Sequence, residues 1–128
     1  MELRLRLIPA PDDLAPSNPE YQKELRNLYQ ALKSEGLEAT ARSFAHDAVG
    51  GGGGLTGEFA LIVTALAPVI AGASALAGAW LHAKYGRKVS VKFGDVAASA
   101  STVEELEKVL RLVEEFQQRN KPRIIHEP

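Results

Sequence analysis

The sequence contains no cysteine. That absence excludes disulfides, thiolate metal sites and a cysteine nucleophile, and it fits a reducing compartment. An excess of charge of either sign is also lacking: 15 basic and 16 acidic residues leave a net charge of −1. Such a balance argues against holding nucleic acid by bulk charge, so no specific nucleic-acid partner is expected. Aromatic residues are scarce, at 6% with a single tryptophan, and no internal repeat is visible. With 45% hydrophobic and 24% charged residues over 128 positions, the chain is neither wholly disordered, collagen-like nor a multi-pass membrane protein. The length suits one domain.

The elements that are present follow from periodicity. Leu3, Leu5 and Leu7 alternate with Glu2, Arg4 and Arg6, which predicts a half-buried strand over 2–8 rather than a signal peptide. Pro9, Pro11 and Pro16 with Asp12 and Asp13 make a turn-rich loop. Asn18-Pro19-Glu20 is a helix start, and Tyr21, Leu25, Leu28 and Leu32 share one face of a helix over 19–35 that stops at Gly36. A second strand is read at 38–43. Lys88, Ser90 and Lys92 alternate with Val89, Val91 and Phe93, a strand over 88–93. Gly94-Asp95 turns the chain into a short partner over 96–100. Ser101 with Glu104, or Thr102 with Glu105, then offers a capping box for a helix over 103–119.

Residues 59–81 run without a charge. Read as one helix, they place Phe59, Ile62, Val63, Leu66, Val69, Ile70, Leu76 and Trp80 on a bulky stripe. Ala60, Thr64, Ala67, Ala71, Ser74, Ala75, Gly78 and Ala79 fall on a small side that lets another backbone approach closely. The length fits a bilayer. Against a span stand Pro68 in mid-segment and the alanine-rich composition. A single pass would also put the strands at 2–8 and 88–93 on opposite sides of a membrane. The expected architecture is therefore one α+β domain over 1–120. It has a small sheet, two amphipathic helices and one long central apolar helix. A flexible connector is expected at 50–54 and a loose tail at 121–128.

Candidate chemistry is thin. The five glycines at 50–54 are followed by Leu55-Thr56-Gly57-Glu58. A phosphate loop needs Gly-Lys-Ser/Thr there, so a connector is the better reading. His46 and Asp47 adjoin it without a nucleophile motif, and His82 and His126 show no metal-ligand spacing. No catalytic residue, metal or cofactor is assigned, and the chain is read as a non-enzyme. Lys84, Arg87, Lys88 and Lys92 form a local basic cluster. It reads as a surface for anionic lipid, nucleic acid or an acidic partner, or as a solvated strand edge beside a helix end. The glutamates of the last helix make an acidic counterpart that can meet this cluster between copies.

The run Gly78-Ala79-Trp80-Leu81-His82-Ala83-Lys84-Tyr85-Gly86-Arg87-Lys88-Val89-Ser90-Val91-Lys92 joins an apolar helix ending in Trp-Leu to a basic turn and a valine strand. A Gly-Asp turn and a Thr-Val-Glu-Glu-Leu helix start follow. Over about residues 55–115 this resembles the effector-associated constant component family of bacterial conflict and defence systems. The proline-rich loop and the glycine run depart from that pattern. The resemblance implies a non-catalytic cytoplasmic adaptor that accompanies an effector such as a peptidase or another toxic domain. The expected mechanism is self-association, as a homo-oligomer, or docking of the effector through helix 59–81. The interaction residues would be Ala67, Ala71, Ser74, Ala75, Gly78, Trp80, Lys84, Arg87 and Lys88. The rival expectation is a membrane-active effector of the inner membrane that inserts helix 59–81 into lipid.

Overall fold

The computed structural model describes residues 1–44 and 54–120. Five strands form one antiparallel sheet in the order β2-β3-β1-β4-β5. They are β1 (Glu2–Ile8), β2 (Ala39–Phe44), β3 (Gly54–Ile62), β4 (Lys88–Phe93) and β5 (Val96–Ala100). The helices α1 (Pro19–Ser34), α2 (Leu66–Ala83) and α3 (Val103–Asn120) cover one face. The architecture is α+β, as the sequence predicts. Two layers result, with the core between them.

Alternation decides which sheet face is buried. Leu3, Leu5 and Leu7 of β1 point into the core beside Phe59, Leu61, Val89, Val91 and Phe93. Arg4, Arg6, Lys88 and Lys92 point out. In register, Leu5 lies opposite Phe59 on one side and Val91 on the other. The strands at 2–8 and 88–93 are therefore hydrogen-bonded neighbours.

Local signals hold the helix ends. Asn18 Oδ1 accepts the Glu20 N–H at 2.9 Å, and Pro19 opens α1. At the far end Gly36 takes φ +80°, a conformation that costs side-chain-bearing residues about 1–2 kcal/mol. Thr102 Oγ1 accepts the Glu105 N–H at 3.1 Å, and Glu105 returns a carboxylate to the Ser101 N–H at 2.9 Å. Of the two capping pairs read in the sequence, Thr102 with Glu105 is the one that forms. The buried Gln22 ties α1 to β3, accepting from the Leu55 N–H at 2.7 Å and donating to the Leu55 carbonyl at 3.0 Å.

The single helix expected over 59–81 is corrected. Residues 59–62 belong to β3, which lies between β2 and β1, and α2 begins only at Leu66. Gly57, Phe59 and Leu61 are buried while Ile62 stands 38% exposed, so the burial period is two. Ala60 and Ile62 on the outward side carry no charge to mark that alternation. Pro68 sits in the first turn of α2, where a missing N–H breaks no helical bond. Gly54, expected in the connector, is the first residue of β3. The rest of the connector and the tail at 121–128 lie outside the described residues.

Candidate interaction surface on the helical layer

α2 lies between α1 and α3 and reaches β4 beneath it. Its buried side is Val69, Gly72, Ala73, Ala77, Gly78, Trp80 and Leu81. Gly72 on that side admits a neighbour, since a Cβ there would meet Leu37 at 2.7 Å, whereas one on Gly78 would meet Val103 at an ordinary 3.7 Å. The opposite side exposes Ala67, Ala71, Ala75 and Ala79. A spacing of four lines them into one stripe along the helix. No charged side chain interrupts it between Glu58 and Lys84. Beside it, Ile70 and Ser74 form a groove with Glu107, Leu110, Arg111 and Glu114 of α3. At the C-terminal end Tyr85 is 98% exposed.

The interaction residues expected from the sequence are thus divided by the fold. Ala67, Ala71, Ala75 and Lys88 are exposed, and Ser74 and Lys84 are half-buried. Gly78, Trp80 and Arg87 are buried, which corrects their expected place on the surface. Tyr85 was not among the predicted residues, although an aromatic in a polar turn before Gly86 is a signal for it.

The basic cluster does not form one patch. Lys88 and Lys92 lie on the open sheet face, where Lys92 is opposite Arg4. Arg42 and Glu58 pair on the same face at 3.3 Å. Lys84 approaches Asp12 at 3.6 Å. Arg87 turns inward, 4% exposed. Its Nε and Nη2 donate to Asp13 at 3.0 Å each, and its Nη1 and Nη2 donate to Glu24 at 2.7 and 3.0 Å. Nη1 also donates to the Trp80 carbonyl at 3.0 Å. The guanidinium lies 4.5 Å from the centre of the Trp80 ring, a cation–π arrangement. Both forks of the cation are therefore occupied by carboxylates.

This cluster shifts its own titrations. The hydrogen bond from Arg87 holds the Asp13 carboxyl below the usual carboxylate range, against the opposing effect of burial. Burial opposes the charge on Arg87, but hydrogen bonds to Asp13 and Glu24 outweigh it and keep the guanidinium protonated. Burial, with the negative charge of Asp13, pushes Tyr21 up to about 12. Through Arg87, Asp13 and Glu24 fasten the loop before α1 and α1 itself to the residue that precedes β4. The arrangement joins three segments of the chain through one buried cation.

Elsewhere, His82 is exposed and lines a groove with Leu81, Tyr85, Ser101, Thr102, Val103 and Glu104. Among the described residues no three of His, Asp and Glu converge as metal ligands. His46, Asp47 and His126 lie outside the described residues. Comparison of the chain with family models, with curated proteins and with solved structures finds no match.

Proposed function

We propose that this chain is a non-catalytic adaptor or assembly module of a bacterial antiviral or conflict system. It docks an effector, such as a peptidase or another toxic domain, on the exposed face of α2. The observation that carries the reading is the alanine stripe Ala67, Ala71, Ala75 and Ala79. A helix that covers its sheet with one side has no packing need for an uncharged outer side. Small residues there let a partner helix approach closely, and Tyr85 supplies an exposed aromatic at the stripe's end. The resemblance over residues 55–115 supplies the kind of partner. In this reading the protein works in the cytoplasm.

The test is association of the purified chain with a peptidase or toxic domain encoded beside it. Ala71→Glu and Ala75→Glu put charge on the stripe at exposed helix positions, where a surface change costs within about 0.5 kcal/mol. Association is expected to fall by at least about tenfold, equivalent to about 1.4 kcal/mol, with the melting temperature unchanged. Undiminished association in both variants would sink the reading.

One observation favours a second reading. Among the described residues α2 alone is long and apolar enough to cross a membrane. Insertion of 59–81 as one helix would first have to withdraw β3 from between two neighbours. Insertion of α2 alone would expose the core it covers. Leakage of anionic vesicles by the wild-type chain, abolished by a charge at Ile70, would replace the adaptor reading with a membrane-active effector.

A further inference from the structure

The open face of the sheet is sorted by charge. Its outward side chains include the cations Arg4, Arg6, Arg42, Lys88 and Lys92 and the carboxylates Glu2 and Glu58. Both carboxylates are engaged: Glu58 pairs with Arg42 at 3.3 Å and Glu2 approaches Arg4 at 3.8 Å. Arg6, Lys88 and Lys92 form no ion pair among the described residues, although Arg6 lies opposite Glu58 in register. The uncompensated charge therefore gathers over β1 and β4. Register places it around one hydroxyl. Ser90, half-buried, is the outward residue in the middle of β4. Arg6 lies opposite it on β1 and Ser99 opposite it on β5. Residues directly opposite have Cβ atoms about 5 Å apart. Lys88 and Lys92 flank Ser90 on its own strand, each about 7 Å away. All three cations reach a point above Ser90. Neither serine hydroxyl has a hydrogen-bond partner among the described residues. Beside this group Arg4 faces Lys92 across the strands. Like charges directly opposite weaken a sheet. Alternation asks only for polar residues on an open face, not for like charges in contact.

We propose that the cluster around Ser90 binds the phosphate group of a small, soluble phosphomonoester. The phosphate oxygens accept from the Ser90 and Ser99 hydroxyls, and Arg6, Lys88 and Lys92 neutralise the charge. Three unpaired cations suit a group with two negative charges better than a carboxylate or a phosphodiester with one. A nucleic-acid strand laid on a sheet is held by aromatic stacking as well as by charge. β1, β4 and β5 present no aromatic side chain on this face. A second copy would bring the same positive face and be repelled. The bound anion lies beside Arg4 and Lys92 and relieves their repulsion, so the ligand stabilises the folded chain. The site is on the side of the sheet away from α2 and stands whether or not α2 docks an effector.

The test is a nuclear magnetic resonance titration of the full chain with glycerol phosphate at constant ionic strength, with chloride as the control salt. The amide signals of Arg6, Ser90 and Ser99 are expected to move saturably, and the melting temperature to rise. Lys92→Gln and Arg6→Gln, both at exposed positions, are each expected to weaken binding by at least about tenfold with the fold unchanged. Lys108→Gln removes the same charge from the exposed side of α3 and is expected to leave binding as it is. Dimethyl phosphate, with a single charge, is expected to bind at least about tenfold more weakly. The absence of a saturable shift overturns the proposal, as does a loss in Lys108→Gln equal to that in Lys92→Gln. Dimethyl phosphate that binds as tightly as glycerol phosphate overturns the monoester. Retention on vesicles containing phosphatidic acid, without binding of glycerol phosphate, overturns the soluble source in favour of a lipid headgroup. Tighter binding of a single-stranded oligonucleotide that lacks a terminal phosphate overturns it in favour of nucleic acid.

Discussion

Removing the guanidinium of Arg87 leaves the Asp13 side chain, 5% exposed, without its cation. Breaking a buried pair from one side costs about 3–5 kcal/mol. Arg87→Ala is expected to lose that much in urea unfolding, and Arg87→Lys less, because it keeps the charge but not the fork. The same contact gives a pH dependence whose sign is fixed. Asp13 has its carboxyl lowered in the folded state. Its contribution is complete above the ordinary carboxylate range and is lost as pH falls through the lowered value. Asp13→Asn is expected to flatten the acid limb of a melting-temperature profile while lowering stability at neutral pH. An unaltered acid limb would assign that limb to other carboxylates. None of this was legible in the sequence. Arg87 sits among Lys84 and Lys88 and reads there as part of a basic surface. Its partners are 74 and 63 positions away, and only the fold brings them together.

Elements with a marked face were legible. Charges on one side and leucine or valine on the other gave β1, β4, α1 and α3 nearly to the residue. The apolar stretch was not legible because it lacks that marking. Buried strand and buried helix look alike when no polar residue reports the period. Leu61 and Ile62 separate the two. A helix puts Ile62 on the bulky stripe; the strand buries Leu61 to 0% and leaves Ile62 38% exposed. Ile62→Lys is expected to cost under about 1 kcal/mol, as a surface change. Leu61→Lys buries an unpaired charge and is expected to cost more than about 4 kcal/mol. Chemical denaturation of the two single variants reads the difference directly, and equal losses would contradict β3.

At the scale of the whole molecule, the two faces of the domain differ in kind. The open sheet face is studded with charge from Arg4, Arg6, Lys88 and Lys92. The helical layer shows an uncharged stripe down its middle helix. Part of that stripe was visible as small residues at helical spacing. Which small residues face out was not, because Gly72 and Gly78 turn inward, Gly72 tightly against Leu37. The aromatic Tyr85 gains meaning only from where α2 ends.

The middle position of β1 has a consequence for the time course of folding. Leu5 finds Phe59 54 residues later and Val91 86 residues later, counted from the paired positions. The strand at the heart of the sheet is thus synthesised before either neighbour exists. Pairings this distant in sequence slow folding, because a long loop must close before any contact rewards it. Until β4 leaves the ribosome, one hydrogen-bonding edge of β1 has no partner. A nascent chain halted ahead of Val89 is expected to be the species that aggregates or calls for a chaperone.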